Sequence, residues 1–215
     1  MLVASNFVIP YGQSAIERNA FHGHREIESL TIPGTVKIIK SNAFAECVNL
    51  TSLTISPGVT SIREYVFSGC TSLESVVIPD SVEFIGEQAF ERCKKLRNIY
   101  LSNSLTHIEA ATFAGCEALE SIVIPSSVKS IAVGAFRDCF ALAFFEVEPS
   151  CEIPFGAAPP RSGRRISPAD ARQERAKAMV EARASDGVEV VGMQVPGQRP
   201  PTLIPTALLS GERQC

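Results

Sequence analysis

The sequence predicts a β-rich solenoid, with short strands stacked into a curved sheet, followed by an irregular, partly helical C-terminal tail. Three observations carry that prediction. An apolar pattern recurs every 23 residues from residue 7 to residue 144 without a single insertion. Each unit holds an apolar pair at period-2 spacing, the mark of a short half-buried strand. No unit is large enough to bury its apolar face alone, so the units must stack on one another.

The six full units run 7–29, 30–52, 53–75, 76–98, 99–121 and 122–144. Positions 1 and 3 of the frame are apolar throughout, as in Leu30 and Ile32, Val76 and Ile78, Ile122 and Ile124. Proline follows at position 4 in Pro10, Pro33, Pro79 and Pro125, where it ends a strand by removing a ladder donor. A second apolar pair, such as Val59 with Ile62 or Val128 with Ile131, predicts another inward-facing segment. Position 15 is always Phe (Phe21, Phe44, Phe67, Phe90, Phe113, Phe136), and position 21 closes the unit with Ile27, Leu50, Leu73, Leu96, Leu119 and Leu142. Strands stacked about 4.8 Å apart make six coils a rod or shallow arc on the order of 30 Å long.

The stretches SLTIPGTVKIIKSNAFAECVNL (29–50) and SVVIPDSVEFIGEQAFERCKKL (75–96) carry this frame most plainly. The pattern resembles the BspA-like leucine-rich repeats over residues 7 to about 144, with a weakening trace beyond. The resemblance implies a curved leucine-rich-repeat solenoid that binds other proteins, as bacterial and protist surface members do. It implies no catalytic residues, because the family shares none.

Position 18 is Cys47, Cys70, Cys93, Cys116 and Cys139, with His24 in the first unit. Zinc needs four ligands converging as a tetrahedron, which a straight file of thiols cannot do. Disulfides between neighbouring coils are conceivable at strand spacing. Five identical rungs would still leave one thiol over. A nucleophilic cysteine needs a base, and His22, His24 and His107 do not recur with the thiols. The favoured expectation is a buried, reduced packing ladder, since free cysteine packs as a small hydrophobe. Cys151 and Cys215 read as incidental, His24 as a residue in the thiol slot of an end coil, and His22 as a turn residue. No metal, cofactor or enzyme activity is expected.

The net charge of −3 is too mild to argue for nucleic acid or an anionic membrane surface. No apolar run approaches the roughly 18 residues that span a bilayer. The start MLVASNFVIPYG lacks a signal-peptide pattern. That predicts a cytoplasmic protein if Met1 is the true start, and allows a cell-surface one if the chain is a fragment. MLVASN matches positions 18–23 of a preceding coil, with no capping unit before it, which favours the fragment.

A protein partner is expected on the sheet face. Positions 23 and 2 flank the inward residues and point outward. They form two small, hydroxyl-rich rows, within which Thr54, Ser75, Val77, Asn98, Tyr100 and Val123 are the candidate contacts. Tyr100 is the one large amphipathic side chain there, and Tyr is a frequent interface anchor. The alternative function is a structural or adhesive segment of a longer, surface-displayed repeat protein.

The expected division is a solenoid over 1–158 and a Pro/Arg-rich tail over 159–215. Most of the fourteen prolines fall from Pro149 onward. Within the tail a helix is expected near 168–184, capped by Ser167 and begun by Pro168. The run RRISP (164–168) also makes Ser167 a candidate phosphosite.

Overall fold

The structure is a computed structural model and describes residues 6–154 and 156–157. The expected tail helix near 168–184, the candidate phosphosite Ser167 and Cys215 lie outside the described residues. Thirteen short strands are placed among them. They are β1 (Asn6–Val8), β2 (Ala15–Ile16), β3 (Ser29–Ile32), β4 (Ile38–Ile39), β5 (Ser52–Ile55), β6 (Ser61–Ile62) and β7 (Ser75–Val77). Then follow β8 (Phe84–Ile85), β9 (Asn98–Tyr100), β10 (His107–Ile108), β11 (Ser121–Val123), β12 (Ser130–Ile131) and β13 (Phe144–Glu146). No helix is present among the described residues.

The odd-numbered strands form one seven-stranded parallel sheet in chain order. Its register is the repeat itself: Leu30 pairs with Leu53, Thr31 with Thr54 and Ile32 with Ile55. Any slip would turn apolar positions 1 and 3 out to solvent, so the alternation pins the pairing. The even-numbered strands carry the second apolar segment and stack as β2-β4-β6-β8 and β10-β12, also parallel. The chain therefore coils in one direction, and each coil adds one rung to each wall.

The third wall is built differently. Position 13 has a left-handed backbone in every unit: Asn19, Asn42, Tyr65, Gln88, Ala111 and Gly134, with φ between 53° and 71°. Position 17 repeats the conformation in Gly23, Glu46, Gly69, Arg92, Gly115 and Asp138. From one left-handed position to the next, every second N–H group points to the following coil, while those between bond back within their own coil. Thus Phe44 N–H donates to Val66 O at 3.0 Å and Glu46 N–H to Ser68 O at 2.7 Å. The same bonds join Phe67 to Ala89 and Gly69 to Glu91, both at 2.8 Å. This wall satisfies backbone donors toward the next coil without being a β-strand.

The core between the walls is filled in layers. Phe44, Phe67, Phe90 and Phe113 are fully buried and Phe136 nearly so. Their rings stack face to face with Phe21 along the axis, centroids 5.1–5.9 Å apart and planes within 8–22°. Both ends of the stack meet a ring edge-on, Phe7 at 5.0 Å and Phe145 at 5.3 Å. Such offset and edge contacts suit the ring quadrupole and add to the burial term. The Phe145 contact belongs to a seventh, degenerate turn. Although it lacks the Ile and Phe landmarks of the frame, it supplies β13, a bridge from Ser130 to Glu152, and a bond from Gly134 N–H to Gly156 O.

Gly34 and Gly58 are required by close approach of coils. A Cβ on Gly34 would sit 2.0 Å from the Pro57 carbonyl oxygen, and one on Gly58 would sit 2.4 Å from the Gly34 oxygen. The turn after the strand therefore packs backbone against backbone.

Candidate protein-binding face

The thiol file is chemically quiet. Cys47, Cys70, Cys93, Cys116 and Cys139 are all free and buried. Each thiol donates to the carbonyl of the Phe one coil earlier, 26 residues back. The distances run from 3.1 Å for Cys139 to Phe113 O, to 3.3 Å for Cys93 to Phe67 O. The same carbonyl also accepts the N–H of its own unit's cysteine, as Phe67 O does from Cys70 N–H at 3.2 Å. Cysteine here fills volume and bonds the second lone pair of a buried carbonyl, and hydrophobic patterning alone does not reveal that second role. Burial is the dominant cause of raised thiol pKa values throughout the file. Cys47 is pushed up to about 11 and Cys139 to about 12, and Cys70, Cys93 and Cys116 lie well above the ordinary value. A thiol that holds its proton so strongly is a poor nucleophile.

In the first unit, exposed His24 occupies the thiol slot and its Nδ1 meets the Glu26 carboxylate. His22 is exposed in the adjoining turn. Among the described residues no group of three or more His, Cys, Asp or Glu is placed to hold a metal ion. Nor is any helix of the described residues long and apolar enough to cross a membrane.

The structure places all six candidate contacts on the outer face of the seven-stranded sheet. Ser75 stands beside Asn98, and Val77 beside Tyr100, in direct register. Asn98 pairs onward with Ser121. Thr54 lies on β5, next to Thr31, and Val123 on β11. Position 23 is the more open row, with Ser52, Ser75 and Asn98 exposed; Thr54, Val77, Tyr100 and Val123 are half-buried against their neighbours. No charge interrupts these rows between β3 and β11.

The loss of proline at position 4 after Tyr100 has a structural counterpart. Ser102 is fully buried there, its hydroxyl donating to Val82 O at 2.6 Å and accepting from Ser104 N–H at 3.0 Å. The next residue, Asn103, donates its N–H to Asp80 Oδ1 at 2.8 Å. The turn below Tyr100 is thus held by polar bonds where four of the other five full units use proline.

Such a chain, with parallel walls, a 23-residue register and an uncharged run of outward sheet residues, is a leucine-rich-repeat solenoid module. It belongs to the BspA type leucine rich repeat family, whose repeat matches six times over residues 6–150. No curated protein matches the chain. Among solved structures, a leucine-rich repeat protein from Bacteroides ovatus is 28% identical, with a TM-score of 0.53 over 70% of this chain. One from Eubacterium ventriosum is 22% identical with a TM-score of 0.61 over 72%. The pneumococcal vaccine antigen PcpA is 22% identical with a TM-score of 0.58 over 72%. At those identities the last two speak for the fold alone. The chain spans 48%, 47% and 41% of their respective lengths, so it matches less than half of each.

Proposed function

We propose that this chain is a non-catalytic protein-binding module that presents the outer face of its seven-stranded sheet to a partner protein. The observation that carries the reading is the register of Val77 with Tyr100 and of Ser75 with Asn98, which sets an aromatic anchor among small, uncharged neighbours. Interfaces concentrate their binding energy in a few residues, Tyr prominent among them, ringed by contacts that add little energy but exclude water. The thiol file supports the non-catalytic part, because its hydrogen bonds are spent on the backbone. The solenoid over 1–158 does the binding in this reading, and 159–215 is an appendage. Affinity capture with mass spectrometry, run with wild type, Tyr100→Ala and Thr54→Glu, tests the face. The variants should lose partners that wild type retains, and full retention by both would remove the face from consideration.

A second reading is that the chain is a structural or adhesive segment of a longer, surface-displayed protein. Its support is that each structural neighbour is about twice as long as the matched stretch. Further in-frame repeats upstream in the transcript would favour it, and a verified start at Met1 would count against it.

A further inference from the structure

The fourth unit departs from the frame where the chain turns into the sheet. Positions 17, 19, 20 and 22 there are Arg92, Lys94, Lys95 and Arg97. Among the same positions of the other five units only Arg25 is basic. All four side chains of the fourth unit are exposed. They differ in what holds them. Lys94 Nζ pairs with Glu117 Oε1 at 3.0 Å. The stem of Arg92 lies along the next coil, its Cγ 3.4 Å from where a Cβ of Gly115 would be. Lys95 and Arg97 make no ion pair among the described residues. Arg97 directly precedes β9, whose outward residues are Asn98 and Tyr100. The two unpaired cations therefore lie in the turn that leads into the strand carrying the aromatic anchor of the sheet face.

We propose that Lys95, Arg97 and Tyr100 form one subsite that recognises an acidic, extended peptide segment of a partner protein. The inference rests on the sheet-face reading and adds the chemistry of the partner. Tyr100 supplies contact area, and the two cations supply complementary charge at its edge. Exposed charges of this kind act mainly on encounter rate and selectivity, with a strong salt dependence. The surrounding acids argue against a uniform polyanion. Glu74 and Glu120 hold the same frame position as Arg97 on the flanking coils. Those coils are stitched to Arg97 by bonds from Arg97 N–H to Glu74 O at 2.9 Å and from Glu120 N–H to Arg97 O at 3.4 Å. A polyphosphate or sulfated glycan tracking along the row would meet these carboxylates. A peptide can place its acids between them.

The test is to pan random linear peptides displayed on phage against the full 215-residue chain, then measure the enriched peptides by fluorescence polarization. Enriched peptides should carry an excess of Asp and Glu, and they should bind more weakly as salt rises. Binding should fall at least about tenfold in Lys95→Glu/Arg97→Glu and in Tyr100→Ala, as for truncated interface anchors. The far-wall variant Lys40→Glu should leave it unchanged. Enriched peptides without an acidic excess that still require Tyr100 would overturn the acidic specificity and leave the sheet face standing. Binders indifferent to Tyr100→Ala would overturn both. Heparin competing as well as the peptides would assign the cations to polyanions and overturn the proposal, as would no enrichment above background. A thermal midpoint for Tyr100→Phe and each other variant verifies that the lost binding is not lost folding.

Discussion

The Cys93 thiol donates to the carbonyl of Phe67, 26 residues earlier, at 3.3 Å, and four other cysteines repeat the bond on their own coils. The carbonyl is buried beneath a stacked Phe ring. It is a second acceptor site that water cannot reach, and a small side chain with a donor is what the site calls for. Cys93→Ala removes both the donor and the sulfur volume. The expected cost is about 1–3 kcal/mol in urea denaturation. Cys93→Ser keeps the donor and should retain more stability than Ala. An Ala variant as stable as wild type would remove the hydrogen bond from the account.

The same burial sets an alkaline limit. A native thiol that keeps its proton, while the unfolded one releases it, means that the unfolded state binds fewer protons at high pH. Stability is then fully present below the ordinary thiol value of about 8.5–9 and is lost as pH rises above it. For Cys47 the loss is complete near its folded value of about 11. For Cys93 it continues well beyond. Each thiol contributes a slope of about 1.4 kcal/mol per pH unit in that window. The stability of Cys93→Ala between pH 9 and 10 should therefore decline less steeply than that of wild type, by about that amount. Below that window the five file thiols should also stay unreactive toward an exposed-thiol reagent until denaturant is added. Several reacting at once in the native protein would contradict the burial on which both expectations rest.

Position 13 invites stabilisation. Ala111 has φ of 53° and Tyr65 has φ of 59°, both in the left-handed region that costs an L-residue roughly 1–2 kcal/mol. Asn19 and Asn42 occupy the same frame position with a side chain that tolerates it. Ala111→Asn should raise the unfolding midpoint, by on the order of 1 kcal/mol or less. The converse change, Gly134→Ala at φ of 71°, should lower it by a similar amount although no atom lies within 4 Å of the new Cβ.

Gly34 predicts the opposite kind of failure. Its Cβ would meet the Pro57 carbonyl, a backbone atom with nowhere to move. Gly34→Ala should cost about 1–3 kcal/mol or more through displacement of the neighbouring turn. At Gly69, by contrast, the atoms nearest the added Cβ all belong to the Glu46 carboxylate. Gly69→Ala should be partly rescued by Glu46→Ala, with the backbone cost at φ of 74° remaining. A double-mutant cycle measured by chemical denaturation separates the two contributions.

By itself the sequence determined the architecture of this protein, because a 23-residue register repeated six times admits only stacking. Positions 1, 3, 15, 18 and 21 were legible as inward because burial acts on each side chain and leaves its mark in residue type. The outward rows that hold Ser75, Val77, Asn98 and Tyr100 followed from the same alternation. Tertiary structure alone decided the third wall. Its left-handed positions accept Asn, Tyr, Gln, Ala, Gly, Glu, Arg and Asp alike, since the neighbouring coil's carbonyls impose the conformation that the side chain does not choose. The double duty of the thiols was hidden for a related reason: the Phe67 carbonyl that Cys93 bonds belongs to another coil, and a backbone acceptor has no letter in the sequence. So too with Lys95 and Arg97, whose charges are plain to read, but whose exposure without an ion pair among the described residues is decided by the fold.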